Sequence, residues 1–458
     1  MTLFADVYKS NCIRATLLLA SIMGSAALAG LGHYEAAAAL ALALLISIGW
    51  SKCAAASPIE LILIIWFVAS PVASYYARLP ADRSIVTFDR AVFCLLAAAA
   101  LFGRRASDFR LARFEKAWAL VAAIAFASAA TRANNLTYAL RIAFDSFALP
   151  VVAFHLARNY FDSNRMAKPL FGVAIAIALL LFFAGASELA TGVDLFPYKG
   201  SELIREGQVR PNGPFVADSS YAIISLLLFV TIRATGDLLN VQAGDRGARI
   251  AYTCGLMAAG AAALLAAFRA VALALLLCLI IYEWVKAAGR GRARIWPAAL
   301  VFGAVLTALV GIAAERAISP SNLYSRLAAW EAAARMAADH PLFGVGLGNY
   351  FDYYDSWYSR QTYAIERALS TKVAEGPHSN LLWIASELGL VGLIPYVAAN
   401  CFLLFEGWRE LYQKRAPRAA LFAAYWVPGL ALASGFYSDL NLYFFFLMGL
   451  VRSAPNQR

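Results

Sequence analysis

Gly376-Pro377-His378-Ser379-Asn380 opens an apolar helix that runs through Leu381-Leu382-Trp383 to Glu387-Leu388-Gly389-Leu390-Val391-Gly392-Leu393. Upstream of it lies the one long polar segment of the chain, 315–377, and before that the sequence reads as one membrane helix after another. His378 therefore falls where a large loop meets the membrane. An imidazole is a side chain of the kind that serves as a general base, and in that position it suits one acting on bilayer-held substrates. The competing reading is a polar residue that merely starts a helix.

Composition supports the membrane assignment. Of 458 residues, 62% are hydrophobic and only 15% charged, more apolar sequence than a soluble domain needs. Runs long enough to cross a bilayer fall at 12–31, 35–51, 59–76, 87–103, 116–131, 137–156, 168–188, 217–234, 250–268, 270–286, 295–314, 379–407, 418–434 and 438–452. The expected fold is an all-α polytopic membrane protein of about 12 to 14 transmembrane helices, each of ~20 residues. Three regions follow: a helix bundle over 1–314, a large structured loop with short helices over 315–377, and C-terminal membrane helices over 378–458.

The net charge of +11 has its use in topology. Lys and Arg gather in alternate connections, among them Arg104 to Lys116, Arg158 to Lys168, Arg233 to Arg249, Lys286 to Arg294 and Arg409 to Arg418. That side, which includes both termini, is expected to be cytoplasmic. The segment 77–86, with Arg78 and Arg83, is a mild exception. Nucleic acid is not an expected partner, because no basic stretch carries interleaved aromatics on a soluble module. The six cysteines are scattered with no C-x-x-C pair, which argues against a disulfide framework or a zinc site.

Three arginines fall on the outer side, against the inside bias. Arg210 lies in Gln208-Val209-Arg210-Pro211-Asn212-Gly213-Pro214-Phe215. Arg269 sits in a tight turn between two apolar runs. Arg326 opens an amphipathic helix of the long loop, Tyr324 to Met336, which also carries Trp330. Each is either snorkelling to lipid phosphate or part of a shared anion site, since arginine forks bind phosphate oxygens bidentately. Together with His378 they suit transfer from a lipid-linked pyrophosphate donor, the arginines holding the leaving group and the histidine deprotonating an acceptor hydroxyl. Arginine then takes the charge-neutralising role, and neither metal nor cofactor is expected. Further along, the aromatic run Tyr350 to Tyr358 reads as a membrane-interface belt before a sugar-binding surface.

These residues resemble the O-antigen ligase and polymerase superfamily of bacterial envelope glycosyltransferases. The resemblance rests on His378-Ser379, nine residues, then Gly389-Leu390-Val391-Gly392, with Glu387 at the acidic position. Arg326 with Trp330, the Gly344-x-Gly346-x-Gly348 turn, Arg269 between two spans, and Arg210 with Gly213 and Phe215 agree with it. Phe268 and Ala270 depart from the Ser-Arg-Gly often seen in the family, and Pro395 stands where glycine is usual. The resemblance implies a GT-C-like, inverting, metal-independent enzyme of the bacterial inner membrane with its site facing the periplasm. It implies an undecaprenyl-pyrophosphate-linked glycan as donor and the lipid A–core oligosaccharide as acceptor. In this sequence His378 would be the base, and Arg210, Arg269 and Arg326 would hold the pyrophosphate. Asn380, Glu387 and Trp330 would support them. An O-antigen polymerase and a protein O-oligosaccharyltransferase are the rivals within the superfamily. A transporter is the rival outside it, disfavoured because polar residues collect at one face and no internal repeat is evident.

Overall fold

The computed structural model describes residues 58–76, 78–79, 86–103, 111–196, 204–205, 208–215, 217–290, 320–354, 376–413, 415–429 and 438–452. The expected spans at 12–31, 35–51 and 295–314 lie outside the described residues. In chain order the helices are α1 Pro58–Tyr76, α2 Phe88–Gly103, α3 Arg113–Arg132, α4 Leu136–Tyr160, α5 Ser163–Thr191, α6 Asp218–Leu238 and α7 Arg246–Leu265. They continue as α8 Arg269–Arg290, α9 Pro320–Asp339, the short α10 Tyr350–Tyr353, α11 Asn380–Tyr412, α12 Pro417–Gly429 and α13 Ser438–Arg452. Two antiparallel ribbons of two residues each, Arg78–Leu79 with Val86–Thr87 and Ile204–Arg205 with Gln208–Val209, lie in connections.

The expected class holds: this is an all-α polytopic membrane protein. Helices α3, α4, α5, α6, α7 and α11 are long and apolar enough to cross a membrane, and shorter apolar helices cover Ile59–Pro71 and Leu440–Val451. Ala, Leu, Val and Ile runs adopt this form because a helix satisfies its own backbone groups where no water is available to do so. The ends carry ordinary stop and start signals. Asp162 Oδ1 accepts from the backbone N–H groups of Asn164 and Arg165 at the start of α5, Asp245 caps α7 through Ala248, and Gly192 ends α5 in the left-handed region.

The centre of the bundle is α13. Residues 440–450 are all buried, and a Cβ at Gly449 would stand 2.6 Å from the Phe154 carbonyl of α4, so the two helices cross at backbone contact. Trp66, Phe93, Tyr443 and Phe446 interlock around this axis, and Phe444 stacks on Tyr425 with centroids 4.0 Å apart.

Charges enter the bundle paired. Helix α4 opens into a π-turn over Ala143–Ala148, where Asp145 accepts from Arg90 Nε at 2.7 Å. Glu115 is fully buried between His155 and Arg158, and Glu60 meets Arg165. An unpaired ion in these places would carry a large desolvation cost.

Candidate active site

The site is built around an elbow in α11. At Gly389 the backbone takes φ 61° and ψ −162°, a combination essentially reserved for glycine. The helix therefore falls into two limbs, 380–388 and 390–412. The limbs fold sharply on each other: the Asn380 amide lies against the Tyr396 hydroxyl, whereas a straight helix would hold them about 24 Å apart. This corrects the sequence reading of one continuous span over 379–407. The second limb alone, at 1.5 Å per residue, reaches roughly 34 Å and matches a hydrocarbon core of about 30 Å.

A break of this kind strands the last carbonyls of one limb and the first N–H groups of the next. The loop after α9 satisfies both. Val345 N–H donates to the Ser386 carbonyl at 2.8 Å and Gly346 N–H to the Glu387 carbonyl at 3.0 Å. Leu390 N–H donates to the Pro341 carbonyl at 2.8 Å and Val391 N–H to the Leu342 carbonyl at 3.1 Å. The approach is so close that a Cβ at Gly344 would stand 2.3 Å from the Glu387 carbonyl carbon. Gly344, Gly346 and Gly348 are all left-handed, so the glycine turn of the sequence is the segment that closes the elbow.

Glu387 holds that turn from beneath. It is 1% exposed, and its Oε1 accepts the Tyr350 N–H at 3.1 Å. Tyr350 in turn donates its hydroxyl to the Ala329 carbonyl of α9 at 3.1 Å. Ala332, Ala333, Met336, Val345, Tyr350 and Tyr354 form a small core of their own. The start of the aromatic run is thus interior packing, where the sequence suggested an interface belt; Trp357 and Tyr358 lie outside the described residues.

His378 stands on the strap that enters the first limb. Its backbone is left-handed, with φ 43°, a conformation strained for most residues and one in which histidine is over-represented. Its neighbours Pro377, Ser379 and Asn380 are buried, while His378 is only half-buried. Beneath the strap lies the Trp383 indole: a Cβ at Gly376 would stand 2.8 Å from its Cζ3. Tyr350 and Phe351 flank that ring with centroids 5.9 and 6.0 Å away. The strap is therefore held by packing on both sides of His378, which itself stays half-buried.

The other expected residues lie on separate elements. Arg326 and Trp330 are four residues apart on α9, the helix that packs on α11, and so share one of its faces. Arg326 is half-buried and Trp330 is 38% exposed. Arg269 is exposed at the first position of α8, after a three-residue turn in which Ala267 is left-handed. Arg210 pairs with Asp218 at 3.8 Å. Its strap is anchored by Glu188, whose Oε2 accepts from Gly213 N–H at 2.9 Å and Asn212 N–H at 3.2 Å. Tyr221 packs beneath Gly213 and against Gly185, which also faces Leu265 of the Arg269 hairpin. The Arg210 strap and the Arg269 hairpin thus lean on shared residues. His378 lies on the strap that enters the elbow, and Arg326 on α9, which packs on α11. Of the other histidines, His155 is bound to Glu115, and His340 lies in the turn closing α9, edge-on to Tyr353.

One residue that holds the glycine turn was passed over in the sequence. Arg132, the last residue of α3, donates from Nη1 to the Gly344 carbonyl at 3.1 Å and lies over the Phe343 ring at 4.9 Å. Its own carbonyl accepts from Asn349 Nδ2 at 2.8 Å, and Asn349 Oδ1 accepts from Asn134 N–H at 2.9 Å. An arginine on the side that the charge bias reads as outer was the available signal, the same one that marked Arg210, Arg269 and Arg326.

Residues 253–397 match the family model described as O-antigen ligase. The match takes in Arg269, Arg326, Trp330, His378, Glu387 and the elbow, and it supports membership of the O-antigen ligase/polymerase superfamily. A search of the curated proteins found no match.

Proposed function

We propose, from the match of residues 253–397 to the O-antigen ligase family model, that this chain is an O-antigen ligase. It joins an O-antigen glycan from undecaprenyl pyrophosphate to the lipid A–core oligosaccharide. The site faces the periplasm from the inner membrane, the termini are cytoplasmic, and 315–377 is the large periplasmic loop. The reading is carried by one observation: His378 is held left-handed and half-buried at the entry to a folded-back helix. A base placed there meets an acceptor hydroxyl that is itself anchored in the bilayer.

In this reading the His378 imidazole takes the proton of the acceptor hydroxyl. The acceptor oxygen bonds to the anomeric carbon of the donor from the face opposite the pyrophosphate. The anomeric carbon–oxygen bond breaks, its electron pair leaves with undecaprenyl pyrophosphate, and the configuration inverts. Arg210, Arg269 and Arg326 hold the pyrophosphate charge as it develops, a role suited to fixed guanidinium forks. Glu387, Asn380 and Trp330 act through position: Glu387 holds the glycine turn, Asn380 sits where the limbs meet, and Trp330 shares a face with Arg326.

The test is a gel of lipopolysaccharide from a host lacking this gene, probed for core and for O-antigen. Free core beside polymerised O-antigen still on its lipid carrier is the expected result. Core capped with a single repeat unit would instead mean a polymerase, and an unchanged ladder would overturn both.

A further inference from the structure

At the far end of α11 from His378 the bundle encloses a second site, a cavity of about 810 Å³. That size falls in the range of roughly 300–1,000 Å³ typical of small-molecule sites. Its lining includes the apolar Val230, Leu447 and Leu450 and the charged Arg233, Lys286, Arg415 and Glu410.

Two buried atoms of the lining residues have hydrogen-bonding capacity to spare, and they are of opposite kind. Arg233 donates from Nη1 to the Tyr252 hydroxyl at 2.9 Å and stacks over Tyr282. Its Nε, 3.6 Å from Asp237 Oδ2, makes no hydrogen bond. Glu410 meets Arg418 Nε through Oε1 at 3.1 Å, but its Oε2 is buried without a hydrogen-bond partner. Leaving either atom unsatisfied is costly. The ligand that answers both brings an acceptor to Arg233, a donor to Glu410 and a hydrocarbon chain to the wall.

We infer that this cavity binds a membrane phospholipid with a phosphoethanolamine headgroup. The phosphate meets Arg233 Nε with Lys286 beside it, the ammonium meets Glu410 Oε2, and the acyl chain lies along Val230, Leu447 and Leu450. A purely anionic headgroup fits less well. The cations stand among acidic groups, Asp237 and Glu410 on the lining and Glu283 3.9 Å from Arg233, so an added negative charge gains little. The site is independent of the transfer chemistry at the other end of the helix.

The experiment uses the full chain purified in detergent and stripped of lipid. Thermal unfolding is followed against short-chain phosphatidylethanolamine, short-chain phosphatidylglycerol and inorganic phosphate, and retained lipid is identified by native mass spectrometry. Phosphatidylethanolamine should stabilise the wild type saturably. Glu410→Gln should weaken its binding about tenfold, as expected for loss of one charge-assisted hydrogen bond. Lys286→Gln, at a half-buried position, should weaken it similarly and serves if Glu410→Gln does not fold. Equal stabilisation by phosphatidylglycerol or by phosphate alone would overturn the assignment in favour of an anion site. Binding indifferent to both substitutions would overturn the site itself.

Discussion

Glu387 and Gly346 are joined through the backbone: the Gly346 N–H donates to the Glu387 carbonyl at 3.0 Å, across forty-one positions of chain, counting from 346 to 387. That bond ties the turn after α9 to the helix that His378 leads into. It sits beside Tyr350, whose N–H reaches the Glu387 carboxylate itself. Glu387 thus serves the turn with both its main chain and its side chain.

Replacing Glu387 tests that role. Glu387→Ala leaves the buried Tyr350 N–H without its acceptor and should cost about 1–3 kcal/mol, read as a lower thermal midpoint in detergent. Glu387→Gln keeps an acceptor oxygen and should recover most of the midpoint and of transfer. If Gln were as inactive as Ala while folding normally, Glu387 would have a chemical role that the geometry does not assign it.

Gly389→Ala strikes the elbow twice. The backbone angle is one that a side chain opposes by roughly 1–3 kcal/mol, and a Cβ there would stand 2.5 Å from the Leu342 carbonyl carbon. The variant should be poorly folded and lose protection of residues 341–346 in hydrogen exchange. A well-folded Gly389→Ala protein with normal protection would rule out the sharp bend.

His378→Asn separates chemistry from conformation. Asparagine tolerates the left-handed backbone, so the strap should stay in place and the thermal midpoint should hold. Transfer should fall by about 10²–10⁴, the contribution expected of a general base. Retained transfer would remove His378 from the mechanism.

Arg269→Lys and Arg326→Lys keep charge and lose the planar fork. Gripping a pyrophosphate predicts at least about tenfold loss of transfer, one good charge-assisted hydrogen bond. Snorkelling to lipid predicts almost none. A kinetic assay with purified donor decides between them for each arginine.

Arg132→Ala removes the donor to the Gly344 carbonyl and the contact with Phe343. Stability should drop by about 1–3 kcal/mol and transfer should follow it, with lysine a partial substitute. Loss of transfer at unchanged stability would move Arg132 into the group that touches substrate.

Much of this was legible from the chain. The helices α1 through α8 and the positions of α12 and α13 follow hydrophobic run length, and among them α3 through α7 have the length a bilayer imposes. The turn at Arg269 and the amphipathic α9 were visible as well. The elbow was not: Gly389-Leu390-Val391-Gly392 is a pattern that packs well inside a straight helix, and nothing local shows that Pro341 to Gly346 will supply its hydrogen bonds. The pairings of Arg132 with Gly344 and of Asp145 with Arg90 were hidden for the same reason, since contacts across 212 and 55 positions leave no periodic trace. The centrality of α13 was likewise invisible, because hydropathy measures apolarity and not which neighbours will surround a helix.

The elbow also fixes an order of assembly. Its four splinting hydrogen bonds, two donated by Val345 and Gly346 and two accepted by Pro341 and Leu342, join 341–346 to 386–391, so the splint emerges from the ribosome before the helix it bends. Were 380–412 to insert first, a straight rod would be its only satisfied state, and the fold-back would have to break helical bonds inside lipid. Synthesis in the natural direction avoids that trap. A circular permutant that begins at residue 376 would reverse the order and should insert slowly, even though its finished contacts would be identical.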